Sequence, residues 1–349
     1  MIAAWETEMA GLFVDSCCSK YYEMISMLIK ILLISLFVVP SLSAQGQITG
    51  WRPTRVVEMV VPTSPGGGTD ETARVMQSIL QGKDGLDMVV LNRGGAGGGI
   101  AYTYMNRVEG NGHSLSLSTL NLVTNSITGG HSLNQADITP IAHLFSEYPV
   151  LVVKAGSAIL SGKELIQQLT INPAARSFAF SPGLGGALHL ATAAAIKGGG
   201  IDLKKVTVVP YQSAGEVTTA VIGGHIDVGV MNPPIAIAQS TAGRVKMIAI
   251  VSPNRLSGPL AGVPTLREQG INGVSASWRG VIGPRGLSEA QISYWESMLE
   301  QMTKTEIWKR HLVQNVRENE YMGSKRTQQY YTKQAEELRA IIVDLGLAK

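Results

Sequence analysis

Short apolar runs alternate with helical patterns along most of the chain, and this alternation predicts a doubly wound α/β fold. The run 56–61 has the pattern of a buried strand, and Pro62 ends it. In the segment 69–80, apolar residues recur at the spacing of one helix face. Further strands are predicted at 88–91, 115–119, 141–145, 150–153, 177–180, 206–209, 226–230, 245–251 and 279–282, and further helices at 100–108, 163–169, 188–197, 216–222, 289–302 and 326–345. Strand–helix repeats of this kind form mostly parallel sheets with right-handed crossovers.

The succession of strands predicts two domains joined by a hinge of two crossings. The segments 45–150 and 253–349 are expected to build domain 1, and the segment 151–252 between them to build domain 2. Open α/β sheets bind ligands beyond the carboxyl ends of their strands. A ligand is therefore expected in the cleft between the strand ends of the two sheets.

The first 44 residues have the pattern of a leader with a signal peptide. The apolar run 31–39 follows the basic start at Lys30, and small residues lead to a cleavage site near Ala44. The run is much shorter than the roughly 20 residues that a membrane-spanning helix needs. The acidic stretch upstream of this run favours a true translation start at Met24 or Met27. We therefore expect an exported, periplasmic protein.

Composition narrows the class of function. Charged residues make up 16% of the chain and the formal net charge is +3, without a basic block, so a nucleic-acid partner is not expected. The two cysteines, Cys17 and Cys18, lie in the leader. The mature chain then has no thiol nucleophile, no disulfide and no cysteine-based metal site.

Three glycine-rich loops carry the candidate chemistry. Loop A (62–70) and loop C (181–189) each lead from a strand into a helix. Glycines let backbone N–H groups approach a ligand, and a helix N-terminus presents unpaired donors, so each loop is a candidate carboxylate or phosphate cradle. Two facing cradles would hold a carboxylate with backbone donors alone, without Arg or Lys. The alternative for loop A is a tight turn in which Thr69 or Asp70 serves only as a helix cap.

Loop B (92–99) resembles a dinucleotide-binding turn, but its spacing fails. The G-x-G-x-x-G pattern places Ile100 or Tyr102 at the third glycine, and no acidic residue follows at the required distance. The segments that mark serine hydrolases, zinc proteases and P-loop proteins are also missing from the sequence. We predict no catalytic residue, no metal site and no cofactor. Of the six histidines, His189 is the candidate for ligand contact, and His113, His131, His143, His225 and His311 are assigned ordinary packing or surface roles.

Five segments resemble the periplasmic receptors of tripartite tricarboxylate transporters, the TctC/Bug family. They are VPTSPGGGTDETAR, LNRGGAGGGIAY, VPYQSAGEVTTAVIGGHIDV, AGVPTLREQG and SWRGVIGPRGLSEAQISYW, in this order from residue 56 onward. The resemblance implies a type II periplasmic-binding fold that closes on a small organic acid, and transporter membrane components as partners. The last segment looks closer to the citrate-type branch, which suggests citrate or another tricarboxylate. The family resemblance as a whole implies a di- or tricarboxylate ligand. Ala187 and Leu188 depart from the small hydroxyl residues that many members have before the histidine of loop C.

The resemblance also implies a set of ligand-binding positions. The matched loops contribute Ser64 to Asp70 and Ser181 to His189, while Tyr211, Asp227 and Asn232 match single positions further along. The complete predicted set is Ser64, Gly67, Gly68, Thr69, Asp70, Gly97, Asn121, Ser181, Gly185, Gly186, His189, Tyr211, Asp227 and Asn232. Trp278 and Arg279 either line the cleft or serve as a packing Trp and a surface Arg.

Two other functions stay open at this point. A binding protein that presents its ligand to a sensor kinase or chemoreceptor would share every pocket residue with a transport receptor. An exported enzyme would use Asp70 and His189 as an acid/base pair, although no activated nucleophile accompanies them in the sequence.

Overall fold

The computed structural model describes residues 50–349 except 131–132, 134–136 and 182. The predicted leader, His131 and Pro182 lie outside the described residues. The described strands form two sheets. The six-stranded sheet contains β1 (Val57–Val61), β2 (Met88–Asn92), β3 (Ser114–Thr119), β4 (Ile138–Glu147), β10 (Ser277–Pro284) and β11 (Glu318–Gly323), in the order β11-β4-β10-β3-β1-β2. The five-stranded sheet contains β5 (Val150–Lys154), β6 (Ser177–Phe180), β7 (Thr207–Pro210), β8 (Val228–Met231) and β9 (Val245–Ile250), in the order β7-β6-β8-β5-β9.

The α-helices of the described chain flank these sheets. They are α1 (Gly68–Leu80), α2 (Gly99–Arg107), α3 (Asn121–Thr128), α4 (Gly162–Ile171), α5 (Ala187–Gly198), α6 (Ala214–Gly223), α7 (Pro233–Thr241), α8 (Glu289–Thr303), α9 (Glu306–Gln314) and α10 (Ser324–Asp344). Serine or threonine side chains cap the amino ends of several of these helices. The Ser288 side chain accepts a hydrogen bond from the Gln291 N–H and forms a capping box at α8, and Thr305 caps α9. Within the described residues, no helix is long and apolar enough to span a membrane.

Each sheet is mixed, which refines the expectation of mostly parallel sheets. Strands β1, β2 and β3 pair in parallel, whereas β10 pairs antiparallel with both β3 and β4. In the other sheet, β6 pairs in parallel with β7 and β8, and β5 runs antiparallel to β8 and β9. Strands β5 and β10 are the strands by which the chain enters each sheet from the other without an α-helix between, and β11 pairs antiparallel with β4 at the edge of the six-stranded sheet.

Separate cores underlie the two sheets. Trp295 and Trp308, from α8 and α9, are buried against the six-stranded sheet. Phe178 and Phe180, from β6, are buried in the five-stranded sheet with apolar residues of α4 and α5. Burial of large aromatic side chains is a major stabilising contribution, since each removes about 150–250 Å² from water. The chain passes between the sheets from β4 to β5 and again from β9 to β10.

Candidate ligand pocket

A cavity of about 290 Å³ lies where loops from both sheets meet. Its lining comes from segments that follow the carboxyl ends of β1, β3, β6 and β8, from the start of α6, and from β10. The lining residues are Thr63, Thr69, Thr119, Leu120, Asn121, Ser181, Gly186, Ala187, Leu188, Ala214, Val217, Val230, Met231, Asn232, Ile235, Ser277 and Arg279. The cavity therefore occupies the position at which open α/β sheets bind their ligands.

The amino ends of several helices face this cavity. Helices α1, α3, α5 and α7 each contribute a residue from the N-cap or the first turn, namely Thr69, Asn121, Ala187 and Asn232. In none of these four helices does the N-cap side chain accept a hydrogen bond, although Thr119 Oγ1 accepts one from the Asn121 N–H at the start of α3. The first N–H groups of a helix lack intrahelical partners and carry partial positive charge. The cavity thus collects hydrogen-bond donors suited to an anion.

Asp70 fixes the shape of loop A. Its Oδ2 accepts hydrogen bonds from the Gly66 N–H at 2.9 Å and from Arg74 Nε at 2.9 Å, and its Oδ1 accepts one from Asn92 Nδ2 at 2.9 Å. The hydrogen bonds from Arg74 and Gly66 lower the pKa of Asp70 to about 2, against the effect of burial. The carboxylate is therefore fully occupied inside the protein and does not line the cavity.

His189 has the equivalent place in loop C. Its Nδ1 accepts a hydrogen bond from the Gly185 N–H at 2.9 Å, and its ring stacks on Phe180 with centroids 4.6 Å apart. Burial lowers the pKa of His189 to about 4, so the ring is neutral near pH 7 and its Nδ1 is free of a proton. The ring is buried behind the loop and does not line the cavity.

Arg279 supplies the charge in the cavity. Its Nε donates to Thr69 Oγ1 at 3.1 Å, and its Nη1 donates to the Trp278 carbonyl at 2.9 Å and to Ser277 Oγ at 3.3 Å. The side chain is half-buried, and burial lowers its pKa. Trp278, by contrast, points into the core and stacks on Tyr331. Of the two alternatives left open for these residues, the structure gives a packing Trp278 and an Arg279 that lines the cavity beside the start of α1.

The structure brings part of the predicted site together. Five of the predicted residues line the cavity: Thr69, Asn121, Ser181, Gly186 and Asn232. They come from loop A, from the turn after β3, from loop C and from the turn after β8. These elements are distant in sequence and meet because the strand ends of both sheets face one another.

The other predicted residues lie outside the lining, and most have structural partners. Gly97 is held by Asn125, whose Nδ2 donates to the Gly97 carbonyl at 3.0 Å. The Tyr211 N–H donates to the Phe180 carbonyl at 2.9 Å, and Asp227 accepts hydrogen bonds from Ser177 and Arg176. Ser64, Gly67, Gly68 and Gly185 belong to the backbone of loops A and C but do not line the cavity. A ligand role for these residues stays a prediction.

Several lining residues were not in the predicted set. A usable signal existed for Ser277 and Arg279, because strand periodicity places residues two apart on one face and Trp278 on the other. The apolar residues Val217, Val230 and Ile235 gave no such signal, since an apolar residue in a helix or strand is indistinguishable in sequence from a core residue. Within the described residues, no cluster of three His, Cys, Asp or Glu side chains is placed to hold a metal ion.

Two α/β sheets around one pocket define a protein of the periplasmic-binding class. The chain belongs to the tripartite tricarboxylate transporter receptor family (TctC), whose model matches residues 72–347. It is 30% identical over 242 residues to Protein BugT of Bordetella pertussis, an alignment that covers 67% of this chain and 72% of that protein.

Solved structures agree with this fold. A TctC solute-binding protein from Polaromonas, solved without ligand, superposes with a TM-score of 0.75 at 22% identity, covering 84% of this chain and 99% of that one. The R. palustris protein Rpa4515, solved with adipate, superposes with a TM-score of 0.69 at 25% identity, covering 85% of this chain and 99% of that one.

Proposed function

We propose that this protein is an exported receptor that captures a small organic carboxylate between two domains and delivers it to the membrane components of a tripartite tricarboxylate transporter. The observation that carries the proposal is the convergence of uncapped helix N-termini from both sheets on one cavity. Such N-termini favour anions. The carboxylate ligand of Rpa4515, a similar protein, supports the same class of solute.

Capture between domains is part of this proposal. We take domain 1 as 45–150 with 253–349 and domain 2 as 151–252, because the chain enters and leaves the five-stranded sheet between β4 and β5 and between β9 and β10. A ligand that contacts both domains shifts the equilibrium toward a closed form. Small-angle scattering is then expected to show compaction when a bound acid is added.

An enzymatic function for the same pocket is not favoured. The pKa of Asp70 is lowered to about 2 and that of His189 to about 4, so at neutral pH neither group is matched to general acid/base work. Both side chains are also committed to backbone N–H groups of their own loops. Binding without turnover is the function that this arrangement supports.

Calorimetric titration of the purified protein with a series of organic acids tests the proposal. At least one acid is expected to bind, and its uncharged amide is expected to bind at least tenfold more weakly, because hydrogen bonds to a charged group contribute about 1.5–3 kcal/mol. Ligand at 100 times its dissociation constant is expected to stabilise the protein by about 2.7 kcal/mol. Binding of amides and acids with equal affinity would contradict the proposal.

A steric variant connects binding to the cavity. Gly186 lines the cavity with φ −76°, a conformation open to other residues, so Gly186→Val is expected to fold and to weaken acid binding at least tenfold. Gly156→Val is the matched control, because Gly156 is exposed and a Cβ there meets open space. Uptake of the bound acid, compared in cells with and without the receptor, tests the transporter partnership. Uptake is expected to be lost in cells that lack the receptor.

A further inference from the structure

The cavity has two chemically different walls. On the six-stranded side, every lining side chain except Leu120 is polar: Thr63, Thr69, Thr119, Asn121, Ser277 and Arg279. On the five-stranded side, the lining is mainly apolar: Ala187, Leu188, Ala214, Val217, Val230, Met231 and Ile235. Of the remaining residues of that side, Ser181 directly follows β6, and Gly186 and Asn232 are the N-caps of α5 and α7. A ligand in contact with both walls needs one polar end and one apolar body.

Arg279 is the charged residue of this lining, and its guanidinium is only partly used. Thr69, Ser277 and the Trp278 carbonyl occupy Nε and Nη1, whereas Nη2 has no hydrogen-bond partner among the described residues. A guanidinium has five N–H donors in a planar fork that matches a carboxylate. The contact with Thr69 also places this fork beside the amino end of α1, so both features favour the same anion.

The charges around Arg279 leave an excess of positive charge. In the described part of the chain, no carboxylate oxygen lies within 4.0 Å of Arg279. The nearby Glu147 is instead 3.5 Å from Arg317, a second buried cation that lies against Gly68 of loop A. Two cations therefore share one carboxylate. A partly desolvated cation without a carboxylate in contact is costly, and a ligand carboxylate relieves that cost.

The apolar wall decides what the rest of the ligand is. Val217, Val230 and Met231 are buried and offer no hydrogen bond from their side chains. A second carboxylate or an ammonium group placed against them would lose its hydration without gaining a partner. A hydrocarbon chain or an unsubstituted ring would instead gain about 25 cal/mol for each Å² removed from water.

Building on the proposed function, we propose that the pocket selects a monocarboxylate with an apolar body. Arg279, Thr69 and the amino ends of α1 and α3 hold the single carboxylate, and Val217, Val230, Met231 and Ile235 hold the body. This solute class differs from the di- or tricarboxylate that the family resemblance implies and from the tricarboxylate that its last segment suggests. Arg279 is then a specificity-determining residue of this chain.

Calorimetric titration with matched acids tests the proposal. Hexanoate and adipate share a six-carbon chain and differ in one carboxylate, and 6-aminohexanoate adds an ammonium group instead. Hexanoate is expected to bind at least tenfold more tightly than either. If adipate binds as tightly as hexanoate or more tightly, the selectivity proposal is overturned while the carboxylate receptor stands, and the amino end of α5 becomes the site of the second carboxylate. If none of a broad panel of carboxylates binds, both proposals fail.

Two variants test the two walls separately, with folding checked by circular dichroism. Arg279→Gln is expected to weaken hexanoate binding at least tenfold, while Arg285→Gln, an exposed arginine at the end of the same strand, is expected to leave it unchanged. Val217→Thr keeps the shape of the side chain and adds a hydroxyl to the apolar wall. It is expected to weaken hexanoate binding about fivefold and to lower the ratio of hexanoate affinity to adipate affinity. Val313→Thr, at an exposed position of α9, is its control. Unchanged hexanoate affinity in both pocket variants would overturn the proposal.

Discussion

Loops A and C have the same construction and different chemistry. In each loop, the third residue of the following helix accepts a hydrogen bond from the N–H of a glycine four residues earlier. Asp70 does this for Gly66 and His189 for Gly185, each at 2.9 Å. Both glycines have left-handed backbone, with φ +84° and φ +79°. The two loops therefore present their helix N-termini to the pocket through one shared device.

The acceptors differ in charge. Asp70 is an anion that also binds Arg74 and Asn92, whereas His189 is a neutral ring supported by Phe180. The negative charge of Asp70 at the N-terminus of α1 is compensated by Arg74, whose Nε lies 2.9 Å from Asp70 Oδ2. In loop C, a neutral acceptor shapes the loop without adding charge at the amino end of α5. In both loops, the polar residue that stands out in the sequence determines the backbone shape, and its neighbours line the cavity.

Removal of the loop A acceptor, Asp70, is expected to have the largest effect on the stability of the protein. Asp70→Ala eliminates three hydrogen bonds to a buried carboxylate and leaves the Gly66 N–H and the Asn92 amide without that partner. We expect a loss of about 3 kcal/mol in the free energy of unfolding, measured by urea denaturation. Glu336→Ala, at an exposed position of α10, is expected to change it by less than about 0.5 kcal/mol. Equal stability of the two variants would show that loop A does not depend on Asp70.

The contributions of Asp70 and His189 to the free energy of unfolding are expected to be lost in different pH ranges. The folded pKa of His189, about 4, lies below its ordinary value of 6.5, so the unfolded state binds more protons and stability falls as pH drops below 6.5. His189 alone accounts for a loss of about 2 kcal/mol between pH 7 and pH 5. The folded pKa of Asp70 is also lowered, so its contribution is present above pH 3.8 and is lost as pH falls toward 2.

Urea denaturation at several pH values separates the two loops. His189→Gln removes the titrating ring, and the variant is expected to lose about 2 kcal/mol less than the wild-type protein between pH 7 and pH 5. His143 and His311, whose pKa values burial also lowers to about 4, remain in both proteins and cancel in the comparison. Identical pH dependence of the two proteins would contradict the neutral role of His189.

The sequence predicts most of the fold because its strands are short, apolar and bounded by turn residues. It misses β11 (Glu318–Gly323), which is mostly polar, has no fully buried residue and lies at a sheet edge, so it lacks the apolar pattern of a buried strand. It also misses α3, α7 and α9. Pro233 and Pro234 begin α7, where a proline is tolerated because its missing N–H has no intrahelical partner.

Prediction of the candidate site is less complete, for a physical reason. Glycine loops are visible in sequence, so loops A and C were located correctly on the helices that meet at the cavity. Which atom of a loop faces the cavity depends on backbone direction, which a residue pattern does not encode. Of the ligand contacts predicted in these loops, Thr69, Ser181 and Gly186 line the cavity and Asp70 and His189 do not. Leu188, which is not among the predicted contacts, lines it as well.

A smaller loss of stability is expected when the left-handed glycines Gly66 and Gly185 are replaced. Gly66→Ala and Gly185→Ala each force a Cβ into left-handed backbone, which costs about 1 kcal/mol even though no atom lies within 4 Å of either added Cβ. Gly67→Ala, with φ −88°, is expected to leave the stability of loop A unchanged. Thermal unfolding of the three variants tests whether the left-handed glycine is equally important in both loops. A loss of stability in only one of the two Gly→Ala variants would show that the loops do not share this requirement.

The smallest effect on binding is expected at Asp227. Asp227 precedes β8 and Asn232 follows it, so the two residues are roughly 16 Å apart along the strand direction, and only Asn232 lines the cavity. Asp227 accepts hydrogen bonds from Ser177 and Arg176 at the opposite end of the sheet. Asp227→Asn is therefore expected to leave acid affinity within twofold and to reduce the free energy of unfolding by less than about 1 kcal/mol, since the ion pair is partly exposed.

Asn232→Ala is the matched variant at the other end of β8, and we expect it to weaken acid binding about threefold to fivefold with little change in stability. Calorimetric titration of both variants with one acid measures the difference. If Asp227→Asn weakens binding more than Asn232→Ala does, the ligand contacts the amino end of β8, and the cavity at the carboxyl ends of the strands is not the binding site. The pair thus decides which end of the five-stranded sheet faces the solute, because one strand connects the two positions and its direction is fixed by its parallel pairing with β6.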